Sequence, residues 1–188
     1  MVAPAAVRYR TSMLGRAAAV CLVAVALPRL AAAVPPGTPQ SIAALKLCNA
    51  VEDMADGERD AVLERGLAMA EAAVAADERD ARAHFALVCH LGKRMERAGF
   101  SLRQLVDLRR LRREMDVTLE LAPGDADALL AKGALLLKLP RLLGGDAAEA
   151  EALLQQALVA EPDNTRVRCF LAEAQRERGV AVESPPGC

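Results

Sequence analysis

Two histidines, a set of cysteines and a run of arginines are the side chains of this chain with chemistry to offer. His84 and His90 are the only imidazoles. Six residues apart on a helix of about 3.6 residues per turn, they differ by roughly 240° and share no face. They therefore cannot form the i, i+4 pair that grips a metal ion, and no metal ligand set is expected. His84, Cys89 and His90 lie close together, and a Cys–His pair is one way to activate a thiolate. No third, orienting group accompanies them at motif level, and helix packing or partner contact accounts for all three more simply. The expectation is a chain with no catalytic residues and no cofactor, not an enzyme.

Cys48, Cys89, Cys169 and Cys188 lie beyond the leader described below, and Cys21 lies within it. Four cysteines in an oxidising compartment are enough for two disulfides. Their spacing fits neither a C-x-x-C redox motif nor a zinc site. Buried helical cysteines acting as small apolar residues are the favoured reading. Cys48 with Cys89 stays open as a pair, whereas Cys188 on a free tail is within reach of another molecule.

The N-terminus has the order of a secretory leader. Arg8, Arg10 and Arg16 precede an apolar stretch from Ala17 to Leu27, and Ala31, Ala32 and Ala33 follow it. A basic start, a short apolar middle and a small-residue exit describe a signal peptide, with cleavage expected after Ala33. The apolar run is about half the ~20 residues that span a bilayer. An uncleaved segment anchoring the chain to the membrane is the alternative. Export to the periplasm or beyond the cell is the expectation. Residues 34–40 read as a linker and 181–188 as a disordered tail, both containing proline.

Charge is unevenly spread. Without residues 1–33, which carry four arginines and no acid, the chain has 20 basic and 25 acidic residues, net −5. Lys93, Arg94, Arg97, Arg103, Arg109, Arg110, Arg112 and Arg113 against Glu96 and Asp107 make segment 93–113 +6, leaving −11 elsewhere. Such a segment suits an acidic partner or anionic lipid, so membrane contact, if any, is expected through it. Pairing with the chain's own surplus acids is the favoured reading. Nucleic acid is not an expected partner, since aromatic residues to stack bases are only 2% of the chain.

The elements that position these groups are helices. Alanine and leucine dominate the apolar residues, and both favour helix. Three stretches align without gaps: Asp80 to Lys93, Asp125 to Lys138 and Asn164 to Glu177. Each opens on a residue suited to cap a helix N-terminus. Pro123 and Pro162 occupy equivalent positions just past a helix tail, where Glu78 stands in the first copy. In Leu139-Pro140-Arg141-Leu142-Leu143-Gly144-Gly145-Asp146 the proline ends a helix and the glycine pair permits a reversal. Asp146 then caps the next helix, with Glu149 three residues on, and Ser101 with Gln104 repeats that signature. Ala150, Leu154 and Ala157 give one inner stripe, and Gly66, Ala70 and Ala73 another. Three hairpins and a closing helix are implied, near 41–78, 80–123, 125–162 and 164–180.

This pattern resembles the tetratricopeptide repeat family. Gly133 and Ala172 stand where that family has small residues at a helix crossing, followed by Ala150, Leu154, Ala157 and the closing Pro162. Intervals of 45 and 39 residues between Glu78, Pro123 and Pro162 exceed the family's about 34. Lys132 also stands where leucine is usual. The lengthened hairpins resemble helical-repeat proteins related to regulators of microtubule dynamics, and periplasmic repeat proteins that accompany TRAP-type solute transporters. The resemblance implies an all-α fold over 41–180, an α-solenoid of stacked antiparallel helical hairpins. It further implies a concave face lined by first helices that holds a protein or peptide. By register Arg82, Phe85, Cys89, Asp127, Leu130, Ala134, Lys138, Arg166, Cys169 and Glu173 line that face. A non-catalytic exported scaffold follows; delivery of a small solute to a membrane transporter is the alternative, and assembly into a homo-oligomer is a third reading.

Overall fold

Three four-residue turns of one geometry punctuate the chain. At 77–80, 122–125 and 161–164 the fourth N–H donates to the first carbonyl, at 3.1, 3.1 and 3.2 Å. The fourth residue then caps the helix that follows. Asp80, Asp125 and Asn164 accept from the N–H groups of Ala83, Ala128 and Val167 at 3.1, 3.0 and 3.2 Å. Each cap satisfies a first-turn donor that the helix itself leaves unpaired. The alignment read from sequence is therefore a repeated physical joint.

The computed structural model describes residues 36–98 and 102–188, and all its regular elements are helical. In chain order they are α1 (Pro39–Ala50), α2 (Asp56–Ala76), α3 (Ala81–Ala98), α4 (Leu102–Leu121), α5 (Ala126–Lys138), α6 (Ala147–Ala160) and α7 (Thr165–Glu177). Short 3-10 turns occupy Val51–Asp53 and Arg141–Leu143. The leader and its cleavage point after Ala33 lie outside the described residues, as does Ser101 of the second capping signature. No described helix is long and apolar enough to cross a membrane.

Residues 36–40 are not a loose linker. Thr38 caps α1 through its side chain, with Pro39 in the first turn. The Thr38 N–H also donates to Asp80 Oδ2 at 2.8 Å, so one aspartate caps α3 and holds the start of α1. Burial pushes the Asp80 carboxyl up, but hydrogen bonds from Thr38, Ser41 and Ala83 outweigh it and leave the pKa below the usual carboxylate value.

The helices pack in sequence-adjacent pairs, α1 with α2, α3 with α4 and α5 with α6. α3 also packs on both α1 and α2, and α7 packs chiefly on α6. Small residues set the close approaches. A Cβ on Gly66 would fall 2.0 Å from the His90 ring, and one on Gly133 would fall 2.8 Å from Leu154. Gly144 reverses the chain after α5 with φ +82°, a conformation that glycine adopts without a Cβ penalty. Asp146 caps α6 by accepting from Ala148 and Glu149, as its spacing predicts.

Two apolar clusters result. Leu67, Leu87, Leu91, Leu111 and Met115 centre the first, between α2, α3 and α4. Leu129, Leu130, Leu154, Ala157 and Val167 centre the second, between α5, α6 and α7. Leu119 of α4 packs against both. Contact between α4 and α5 is much sparser than within the hairpins, so Leu119 is a principal apolar link there.

Candidate functional site

The first helices of the hairpins lie side by side in one direction. Cys48 of α1 is bonded to Cys89 of α3, and Lys93 Nζ of α3 lies 2.6 Å from Glu52 just past α1. Glu96 near the end of α3 pairs with Lys138 at the end of α5, at 2.6 Å. At the other end Arg82, Asp127 and Arg166 each stand two residues past an equivalent cap. Burial raises the Asp127 pKa first, and the nearby Asp125 and Glu161 raise it further, while Arg166 and Arg82 oppose the shift. The residue itself reaches solvent, so the crowding that desolvates its carboxyl is local. This row reads positive, negative, positive across α3, α5 and α7, suited to hydrogen-bond and charge recognition.

The next row differs from its expectation. Leu130 is 3% exposed within the second cluster, because α7 packs beside α5 and brings Val167 and Phe170 to the same core. It is a core residue, not a groove residue. Phe85 is half-buried against the first cluster. Cys89 and Cys169 are not packed thiols; both are oxidised, to Cys48 and Cys188 respectively. The favoured reading of packed apolar cysteines is thus corrected, whereas the Cys48–Cys89 pair that had stayed open is formed. The tail is corrected too. Residues 181–188 form no helix, but the bond returns Cys188 to α7, where a Cβ on Gly187 would lie 3.1 Å from Thr165. Cys188 is therefore tied within its own chain. Of the remaining predicted residues, Lys138, Arg166 and Glu173 are exposed, and Arg82 and Ala134 are half-buried. Arg82 also leaves a buried Nε without a hydrogen-bond partner among the described residues.

The basic segment is largely consumed internally. Arg97 bridges Asp60 at 2.6 Å and Asp56 at 2.7 Å, and Arg94 bridges Glu64 at 3.3 Å and Asp107 at 3.0 Å. Arg110 pairs with Glu71 at 2.7 Å. Arg112 turns toward the loop after α5 and donates to the Leu143 carbonyl at 2.5 Å. The Lys93 and Arg97 partners hold the Glu52 and Asp56 carboxyls below their usual range. Pairing with the chain's own acids, the favoured reading, holds for these side chains. Arg109 and Arg113 stay exposed with no acidic group within ion-pair distance among the described residues.

Both histidines serve packing. His84 places Nδ1 2.6 Å from Glu114 Oε2 and Nε2 3.0 Å from the Glu78 carbonyl, joining α3 to α4 and to the turn before it. His90, 1% exposed, donates from Nε2 to the Ala44 carbonyl at 3.0 Å while its Nδ1 is unpartnered. Burial pushes its pKa down, and nearby Lys93 adds to that against the Ala44 bond. No group of three or more His, Cys, Asp or Glu suited to a metal occurs among the described residues. Sequence reasoning missed Glu114 and Glu151. Glu151, 9% exposed, accepts from Gln155, Gln175 and Arg178 and ties α6 to α7. No spacing signal marks these two, since their partners lie on other helices.

Two clefts of about 200 Å³ open to solvent. One is lined by Asp60, Leu63, Glu64, Arg94, Arg97 and Ala98 between α2 and α3. The other lies where α4 and α5 part, with Met115, Leu135 and Leu136 as its apolar lining and Arg112, Asp116, Lys132 and Glu149 around it. Each is smaller than the about 300–1,000 Å³ usual for a small-molecule site. No protein-family model matches the chain, and no curated protein matches it in sequence.

Proposed function

We propose that this chain is an exported, tetratricopeptide-like scaffold that holds a protein or peptide against its first helices, without catalysis. The supporting observation is the repeated joint at 77–80, 122–125 and 161–164, with a cap at the same register each time. A repeated joint is what stacks hairpins into a solenoid, whose concave side offers an extended binding face. The parallel course of α1, α3 and α5 and the row Arg82, Asp127 and Arg166 are consistent with such a face. Two disulfides suit an oxidising compartment, as the leader at 1–33 does.

Affinity capture of the tagged protein from envelope extract after crosslinking tests this reading. The expected result is one recurrent protein, lost when Asp127→Lys and Arg166→Glu are combined. Leu130 is unsuitable for the test, because an acidic residue there would disrupt the core. Recovery of self-crosslinked chains alone, or unchanged capture by the double variant, would reject the groove.

A further inference from the structure

Once the arginines with internal partners are set aside, a small coherent surface remains on α4 and the loop after α5. α4 buries Leu108, Leu111, Met115 and Thr118, so the opposite side of the helix carries Val106, Arg109 and Arg113 at spacings of three and four. Val106 is 65% exposed, and both arginines face solvent. The Arg112 bond to the Leu143 carbonyl holds the loop against this helix. At the tip of that loop Leu142 is 95% exposed, beside exposed Arg141.

Leu142 is the most exposed large apolar side chain among the described residues. This loop is built to keep it out. Pro140 leads into the 3-10 turn Arg141–Leu143, Gly144 closes it at φ +82°, and Gly145 has no room for a Cβ, which would fall 1.8 Å from the Leu139 carbonyl. A tip with one protruding apolar side chain, next to Arg141 and tied through Arg112 to the helix that carries Arg109 and Arg113, combines the two signals of interfacial binding: apolar insertion and attraction to anionic headgroups. The charge left after internal pairing is predominantly positive at this surface, Arg109, Arg113 and Arg141 against Asp146 near Arg141, whereas the chain beyond 93–113 is strongly acidic once residues 1–33 are set aside. An anionic plane therefore attracts this side and repels the rest, which fixes an orientation.

We infer that Leu142 with Arg109, Arg113, Arg141 and Val106 forms a docking surface for an anionic lipid membrane. It is separate from the first-helix face of the proposed scaffold and does not depend on that reading. Lys93, Arg94, Arg97 and Arg110 take no part, since acids of α2, α4 and the α1–α2 turn already engage them.

Vesicle flotation of the full chain tests the inference, comparing variants so that any contribution from residues 1–33 is common to all. Vesicles are phosphatidylcholine alone, or phosphatidylcholine and phosphatidylglycerol in equal parts. The chain is expected to float with the anionic vesicles and to release as salt rises. Each arginine near such a surface is worth about fivefold in affinity, so neutralising both in Arg109→Gln/Arg113→Gln should cost about 25-fold. Leu142→Asp should abolish flotation. Val159→Asp should leave it unchanged: that residue is also 84% exposed but lies at the far end of α6 from the loop. Circular dichroism checks that the helices persist in each variant. Equal flotation by Leu142→Asp and the unaltered chain would overturn the inference, and so would equal flotation with neutral vesicles. Failure to float, with the same residues instead crosslinking to an acidic protein, would overturn it as well.

Discussion

Removing the Cys48–Cys89 bond should cost this fold far more than removing Cys169–Cys188, although both close a loop. The first spans 41 residues and the second 19. Loop-closure entropy gives about 4 kcal/mol for the first and about 3.3 kcal/mol for the second. Those figures assume that the native state stays in place when the bond is absent. That holds for Cys48 and Cys89, which sit on α1 and α3, packed together through Ala44, Leu45, Leu87 and Leu91. It fails for Cys188, whose segment joins α7 without a helix of its own and can detach once freed. Detachment returns entropy to the native state and cancels most of the loss. The variant Cys48→Ala/Cys89→Ala should therefore lose about 4 kcal/mol in urea unfolding, or about 8–16 °C in Tm. Cys169→Ala/Cys188→Ala should lose under about 1 kcal/mol, well below its loop-closure figure. Equal losses from the two variants would refute the argument, as would titration of four free thiols in the purified protein.

Two glycines of α2 should respond with opposite signs. Gly57→Ala, with open space around its Cβ, gains about 0.5–1 kcal/mol, whereas Gly66→Ala must displace the buried His90 ring and loses about 1–3 kcal/mol. Urea midpoints check both, and His90→Ala should make the Gly66 change less costly. Stability should fall as pH drops from 7 toward 5.5. The folded-state pKa of His90 is depressed, so its contribution is present above its unfolded value near 6.5 and lost as pH falls toward the folded one. The slope can reach about 1.4 kcal/mol per pH unit, and His90→Gln should flatten it. Asp80→Ala removes the α3 cap and the tie to Thr38 together, and should exceed the about 1 kcal/mol usual for a cap. Asp125→Ala, which loses a cap alone, is the comparison.

Much of the helical layout was legible because it depends on local chemistry. Asp80, Asp125 and Asn164 cap through neighbours three residues away, and Pro123 and Pro162 mark ends through their own backbone. Gly133 could be assigned to a crossing and Gly66 to an inner stripe, though not to Leu154 and His90, since partners across helices leave no fixed spacing. The same limit left Cys48–Cys89 an open pair and Cys169–Cys188 unforeseen. Cys48 meets Cys89 because α1 and α3 run parallel, a fact of packing rather than of sequence separation. On α5, Asp127 is exposed whereas Leu130, expected on the same face, is core. Register gives direction around a helix, whereas depth depended on α7 closing over that side. Thr38-Pro39 carried a legible start for α1, yet the proline content of 34–40 read as linker. For the basic segment, pairing with internal acids was foreseeable in kind, but which arginines stayed outside required the positions of α2 and the loop after α5.

The central claim is that a partner lies against the first helices, not against the outer ones. A photo-crosslinking amino acid placed at position 127 of α5, and separately at exposed position 159 of α6, tests it most directly. Irradiation in envelope extract should give one discrete protein adduct from position 127 and none from position 159. Adducts of equal yield from both positions, or from 159 alone, would contradict it.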